Sequence, residues 1–520
     1  MDSDNNYKSC SISRRTASGL ASATMAAAVH ATPQPARDAA QYNDIVTLDA
    51  TALSAAIHTR QLSCVEVMRN YLDHIAAVNP RVNAIVALQD RDALLTQAQE
   101  RDDQLAHGES MGPLHGFPHA VKDLQAVKGI RTTQGSPIFK DFVPSADSLM
   151  VERLRKAGAI FIGKTNAPEF GLGSHTYNPV YGITRNAYDP TKSAGGSSGG
   201  AAVSLALRML PVADGSDYGG SLRNPSGWNN VLGFRTSIGR IPYDSRDPWL
   251  PTMSVTGPMA RNVTDLAMLL SVQAGYDTRV PLSLDGDGSV FQRRLHRSFK
   301  GARIAWVGDF KGHTPCDPKI IEVCRKAARR FESLGCTVEE AVPEFDLHAV
   351  WQAVIRLRAW QNGGPLLGFY QDPATRALLK PEAVYEIETG LKQSAYDITA
   401  ASVVRNEWTQ AVRRFFDRYE YFIAPTAQVF PFDVAQHWPQ EIAGRKMETY
   451  HEWMKATLLI TMCGSPALAV PAGFSDEGLP IGIQLVGPNR QEFNLLQLAY
   501  AYESTLGAEH RRLPPLLHSA

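Results

Sequence analysis

The sequence predicts an α/β fold, a single large domain in which a central mixed β-sheet is covered by helices on both faces. Short, continuously apolar, β-rich runs recur along the chain with helical patterns between several of them, as buried strands and their covering helices require. The chain has 520 residues, of which 44% are apolar and 20% charged, enough to bury a large core. From residue 43 onward no repeat and no linker composition interrupts the pattern.

Taken in order, the first residues stand apart. Ser13-Arg14-Arg15-Thr16 precedes an alanine-rich run from Ala17 to Val29 and a small residue, Ala31, before Thr32-Pro33. A twin arginine, a mild apolar stretch and a small residue at the break resemble a secretory signal of the twin-arginine type. The expected division is therefore a signal peptide over 1–31, a linker over 32–42 and one domain over 43–520. An exported protein would lie in the periplasm or outside the cell, and one without a working signal in the cytoplasm. The alternative is an Ala/Ser-rich tail.

Within the domain, Ser63-x-x-Glu66 is a capping box opening an amphipathic helix with Val65, Met68, Tyr71, Leu72 and Ile75 on one side. Strands are expected over 83–88, 159–162, 303–307, 421–423, 467–470 and 481–486, and helices over 319–334 and 493–504.

Composition excludes several classes. Lys plus Arg and Asp plus Glu both number 52, so the formal charge is zero and phosphate neutralisation offers no basis for nucleic acid as main partner. No apolar run is long enough to span a bilayer. The 6 cysteines form no C-x-x-C pair, and cleavage after Ala31 would remove Cys10 and leave an odd number. His451-Glu452-Trp453-Met454-Lys455 begins like a zinc motif but carries lysine in place of the second ligand, so no metal is expected, and no cofactor.

The chemistry concentrates in residues 191–227, TKSAGGSSGGAAVSLALRMLPVADGSDYGGSLRNPSG. A flexible linker would be polar on both sides, whereas the Gly195–Gly200 knot runs into Ala201 to Leu207, a good helix. That places serines at a helix N-terminus, where free N–H groups gather. The second knot, Gly215 to Ser221, follows another apolar segment. Glycines permit a turn whose N–H groups converge on one oxygen. Gly195-Gly196-Ser197-Ser198-Gly199 also satisfies the G-x-S-x-G nucleophile elbow, which would need an acid and a histidine downstream. No Ser-x-x-Lys occurs, so a lysine base must come from elsewhere. Lys122, ending the apolar strand in GPLHGFPHAVKDL, is a candidate only if burial lowers its pKa.

Four segments in order resemble the amidase signature family of amide hydrolases: GFPHAVKDLQAVKGIRTTQGS, LRKAGAIFIGKTNAPEFG, the Gly/Ser stretch above, and GSPALAVPAGFSDEGLPIGIQLVGPNRQEFNLLQLAYAYE. The likeness runs from about residue 45 to 508 and implies the amidase signature fold, with a core over about 80–260, a variable substrate-pocket region over about 345–455 and C-terminal strands and helix over 460–508. It implies Ser221 as nucleophile, Ser197 as bridging serine on a cis peptide and Lys122 as base. It also implies an oxyanion hole from the backbone N–H groups of Tyr218, Gly219, Gly220 and Ser221, with support from Ser198, Asp217 and Arg223. Two features depart from the family pattern: Trp228-Asn229-Asn230 with Phe234-Arg235-Thr236-Ser237 after the nucleophile, and His119 three residues before the base.

Five of the 8 tryptophans, Trp351, Trp360, Trp408, Trp438 and Trp453, fall in the variable region and are expected to wall a pocket for an apolar or aromatic group. The expected activity is hydrolysis of aryl or hydrophobic amides by a monomer or homodimer. Ester or carbamate hydrolysis on the same triad, an amidotransferase A-type subunit working on aminoacyl-tRNA, and a binding module that has lost catalysis are the alternatives.

Overall fold

The computed structural model describes residues 45–518 apart from 244, 246, 248, 250 and 251. The expected signal peptide and linker lie outside the described residues. Helix α1 (Cys64–Val78) starts where the capping box was read: the Glu66 N–H donates to Ser63 Oγ at 3.0 Å, and the Ser63 N–H donates to Glu66 Oε2 at 2.8 Å. Each bond satisfies a donor that the first helical turn leaves free. Its buried stripe is Val67, Met68, Tyr71, Leu72, Ile75 and Val78, with Val65 only partly covered.

A small sheet follows, made of β1 (Ile85–Val86), β2 (Pro118–Lys122) and β3 (Ile160–Thr165) in the order β1-β3-β2. β2 and β3 run parallel and both are buried throughout, which is why they read as continuous apolar runs. The large sheet comprises β4 (Ala213–Asp217), β5 (Leu232–Arg235), β6 (Val255–Ala260), β7 (Arg303–Trp306), β8 (Thr337–Glu340), β9 (Tyr421–Pro425), β10 (Ala467–Phe474) and β11 (Pro480–Val486). Its order is β8-β7-β9-β11-β10-β5-β6-β4. β7 pairs in parallel with both β8 and β9, and the other pairings are antiparallel, so the sheet is mixed as expected.

The helices that matter for the site are α2 (Gly199–Ala206), α3 (Asn224–Trp228), α4 (Val263–Gln273), α5 (Pro318–Arg329), α6 (Leu347–Gln371), α7 (Pro381–Leu391), α8 (Ala395–Phe416), α9 (Lys455–Cys463) and α10 (Glu492–Glu503). α3, α5 and α10 pack on β10 and β11, and α4 packs on β6. One apolar cluster runs from Ile45 to Leu516 and includes residues of both sheets.

One placement was not expected. Lys122 ends a strand of the small sheet, whereas Asp217 ends β4, the edge strand of the large one. β2 packs directly on β4, so the two sheets meet where the chemistry-bearing residues lie.

Replacing Ser63 by alanine removes one arm of the capping box at the start of α1. The expected loss is about 1 kcal/mol, read from the urea midpoint, with the steady-state activity unchanged.

Candidate active site

The site is built from three chain segments. β2 delivers Lys122, the loop before α2 delivers Ser197 and Ser198, and the turn after β4 delivers Tyr218 to Ser221. Lys122 is fully buried, while Ser197 and Ser221 keep 3% and 6% of their surface at the floor of a cleft. Lys122 Nζ lies 2.8 Å from Ser197 Oγ, 2.8 Å from Ser198 Oγ and 3.0 Å from Ser216 Oγ. Burial pushes the ammonium down to about 7, against the fields of Asp214 and Asp217, which favour the charged form. A lysine near neutrality can exchange a proton with the hydroxyls around it.

Ser198 begins α2, and its hydroxyl also donates to the Ser216 carbonyl at 3.3 Å, tying the helix start to β4. The Gly196–Ser197 peptide bond is cis, as the family resemblance implied. The Ser198 N–H donates to the Ser221 carbonyl at 3.3 Å and so joins the two serine knots.

The turn is shaped by Asp217. Its carboxylate accepts from the N–H groups of Gly220 (3.1 Å) and Leu222 (3.0 Å), from Arg223 Nε (3.0 Å) and Nη2 (2.9 Å), and from Arg235 Nη1 (3.2 Å). Burial alone would raise its pKa, but the two guanidiniums hold it well below the usual carboxylate range. The Gly220 N–H, expected among the oxyanion donors, is thus spent on Asp217. The N–H groups of Gly219 and Ser221 donate to no acceptor among the described residues. Gly220 serves the turn in another way. It sits at φ +115°, and a Cβ there would lie 2.5 Å from Thr457 Oγ1. Thr457 Oγ1 donates to the Gly219 carbonyl at 2.6 Å and Thr461 Oγ1 to the Tyr218 carbonyl at 2.7 Å, so α9 holds the turn from behind.

Sequence reading missed three contributors. Ser216 is the third hydroxyl on Lys122. Arg235, noted only as a departure from pattern, is the second cation on Asp217. Gly171 (φ +72°) lies beside the site: a Cβ there would stand 3.5 Å from Ser197 Oγ. Ser216 lay inside the second knot but nothing there marked its hydroxyl for Lys122, no local pattern marked Gly171, and Arg235 stood out only as part of a departure from the family pattern.

The cleft above the serines has a volume of about 260 Å³ and is walled by Leu124, Phe170, Leu172, Tyr218 and the α6 residues Arg358 and Leu366. None of the five tryptophans expected there lines it. Trp453 is stacked on Trp228 with ring centres 5.7 Å apart, Trp408 donates to the Leu459 carbonyl, and Trp351 lies under Lys455. Their size suits the helical core better than the narrow cleft. The variable region does supply a wall, through α6. Two roomier depressions of about 510 and 520 Å³ lie elsewhere. In the first, Arg208 and Arg261 are bound to backbone carbonyls. In the zinc-like segment, His451 Nε2 is bonded to Glu386, and among the described residues no three His, Cys, Asp or Glu side chains are grouped to hold a metal. The five described cysteines are all free and buried.

Two sheets meeting at a buried lysine beneath a glycine-rich serine turn define an amide-hydrolase architecture, and comparison with known proteins agrees. The Amidase family model matches residues 66–496, and the chain belongs to the amidase signature family of amide hydrolases. Among its relatives, it is 33% identical to an acylamidase of Rhodococcus erythropolis over 461 residues, 88% of this chain and 95% of that one. It is 32% identical to the A-type subunit of the glutamyl-tRNA(Gln) amidotransferase of Thermosynechococcus vestitus over 480 residues, 88% of this chain and 97% of that one. A crystal structure of a bacterial aryl acylamidase of the amidase signature family superposes with a TM-score of 0.83 at 29% identity, covering 90% of this chain and 98% of that one.

Asp217→Asn should destabilise the protein by about 3–5 kcal/mol, because two buried guanidiniums lose their anion. A thermal melt that differs from wild type by no more than a degree or two would contradict this account of the turn.

Proposed function

We propose that this enzyme cleaves the C–N bond of carboxylic amides bearing an aryl or other apolar group, through an acyl-enzyme on Ser221. The single observation that carries the reading is the contact of a fully buried Lys122 Nζ with Ser197 Oγ at 2.8 Å. Neutral Lys122 takes the Ser197 Oγ proton as Ser197 takes that of Ser221, and Ser221 Oγ bonds to the amide carbon. The oxyanion is met by the backbone N–H groups of Gly219 and Ser221, with Tyr218 completing the turn; donors of this kind are each worth about 10²–10³ in rate. Breaking the C–N bond expels the amine, which receives its proton back through Ser197. Water then adds to the acyl carbon by the same relay and releases the carboxylic acid, leaving Ser221 Oγ protonated again. Esters and carbamates, with better leaving groups, would follow the same path.

Leu124, Phe170, Leu172 and Leu366 favour an apolar acyl or amine part, and the aryl acylamidase likeness supports the same choice. Likeness to the amidotransferase relatives supports a second reading, in which the chain works on aminoacyl-tRNA within a complex. The zero formal charge speaks against it, since such a substrate is polyanionic. Export directed by Arg14-Arg15 belongs to the first reading, and the mature protein would then begin at Thr32, a point settled by mass spectrometry of the periplasmic fraction.

With p-nitroacetanilide as substrate, Ser221→Ala, Ser197→Ala and Lys122→Ala should each lose at least about a thousandfold in kcat/KM. A trapped acyl group should map to Ser221. An adduct on Ser197 in an active Ser221→Ala enzyme would instead favour the nucleophile-elbow arrangement. Because only neutral Lys122 is a base, wild-type activity should rise with pH through about 7 and be lost below it.

Leu366→Ala should raise KM for p-nitroacetanilide by up to about tenfold and leave acetamide turnover unchanged. Equal effects on both substrates would remove the apolar wall from the proposal.

A further inference from the structure

One buried pair behind Lys122 has no part in the relay above, and it includes the histidine that departs from the family pattern. His119 lies on β2, three residues before Lys122, and Asp214 lies on β4. Both are fully buried. His119 Nε2 is 2.9 Å from Asp214 Oδ1, and the backbone N–H of Lys122 donates to Asp214 Oδ2 at 3.2 Å. A carboxylate oxygen only accepts, so Nε2 carries the hydrogen; Nδ1 is buried without a partner among the described residues. The carboxylate thus bridges the strand that carries the lysine and the strand that leads into the serine turn. The register of β2 against β3 shifts between His119 and Ala120, where a bulge turns the strand locally.

The charges around Lys122 are unevenly matched. Asp217 also faces it, but that carboxylate is bound by Arg223 and Arg235, which cancel much of its field. Asp123, one residue past β2, is bonded to Thr133 and faces Lys164 of β3. Lys164 is itself held by Gln125 and Thr132. α2 brings no ionisable side chain, and the buried face of α1 brings Cys64 and Tyr71, both kept neutral by burial. Among the described residues Asp214 has no arginine partner, and Lys164 of β3 also lies in its field. Its direct donors are one imidazole N–H and one peptide N–H, so no guanidinium binds its charge, which acts on both Lys122 and Lys164.

We infer that His119 and Asp214 form a positioning pair that sets the basicity of Lys122, the imidazole N–H fixing the carboxylate and the carboxylate supplying the negative field at the lysine that no guanidinium cancels. The need for such a pair follows from the burial. A lysine buried with no anion nearby stays neutral but becomes a poor proton acceptor, whereas a catalytic base works best when its affinity for the proton matches the working pH. Burial is the largest influence on Lys122 and lowers its pKa; Asp214 comes next and opposes the fall. The pair leaves the relay atoms untouched and acts only through the lysine.

The inference rests on Lys122 being the base, and the test separates the two. The pH dependence of kcat/KM is measured for wild type, Asp214→Asn, His119→Gln and His119→Leu, beside Lys122→Ala. Asp214→Asn removes the field, so the acid limb should move to lower pH by about one unit, with a lower plateau from the weaker base. His119→Leu removes the contact that fixes the Asp214 carboxylate beside β2, so the carboxylate is free to turn away from Lys122 and the limb should move the same way. His119→Gln can keep the N–H contact and should leave the limb near its wild-type position. If Asp214→Asn does not fold, the two histidine variants carry the test. Folded variants that lose activity or stability while the limb stays in place would overturn the pair's role, with Lys122 retained as base if Lys122→Ala is inactive. An active Lys122→Ala would instead overturn the base assignment itself.

Discussion

The burial of one ammonium group is the constraint from which the rest of the site follows. Lys122 ends a strand of the small sheet with no exposed surface, and there its charge has lost water. The protein replaces that water with hydroxyls: Ser197, Ser198 and Ser216 all lie within 3.0 Å of Nζ. Three hydroxyls can solvate an ammonium or share protons with an amine, so the lysine is stable in either form. The seam between the two sheets is needed for this. A lysine on the central sheet could be buried, but it would not meet a helix start and a strand end at once.

A second buried charge cluster shapes the turn. Asp217 holds the N–H groups of Gly220 and Leu222 while Arg223 and Arg235 hold Asp217. Arg223 continues outward to the Thr457 carbonyl, Gln484 Oε1 and Thr461 Oγ1, so α9 and β11 are tied to the same carboxylate. Buried ion pairs add little net stability compared with apolar packing of equal volume. What this one adds is geometry. An apolar side chain at 217 could fill the space but could not align two peptide N–H groups and two guanidiniums.

Much of this was legible in the sequence, and the gaps have physical causes. α1, β1, β3, β7, β9, β10, β11, α5 and α10 were visible because their apolar residues repeat with strand or helix period. β4 (ADGSD), β5 (LGFR) and β6 (VTGPMA) were not, since they are short and interrupted by Gly, Pro or charge. These are the strands nearest the serine turn, where close backbone approach and buried polar contacts override β propensity. The lysine's burial was equally hidden, because it depends on β2 packing against β4, a contact between residues about ninety positions apart. The tryptophans misled for the opposite reason: aromatic residues clustered in a variable region also suit a helical core, and only the packing of α6, α8 and α9 decides between the two. His119 could be seen as odd but not explained until Asp214 stood beside it.

The cleft wall contributes one more argument about what enters. Arg358 reaches it from α6, with its guanidinium 4.9 Å from the centre of the Tyr218 ring. A lone buried arginine beside Ser221 would invite anionic ligands. Here Nε lies 2.7 Å from Glu386 Oε1, which also meets His451 Nε2 at 2.9 Å and the Tyr450 hydroxyl. Burial would raise the Glu386 pKa, but Arg358 and His451 hold it down at about 2, so the carboxylate stays charged and the arginine stays compensated. A substrate carboxylate would have to compete with Glu386 in a buried site, where the displaced charge could not be resolvated. A neutral carbonyl needs no such exchange and can use the guanidinium as a hydrogen-bond donor alone. The wall therefore presents polarity without net charge, next to the apolar side chains of Leu124, Phe170 and Leu366, and that combination suits an uncharged amide with an apolar substituent.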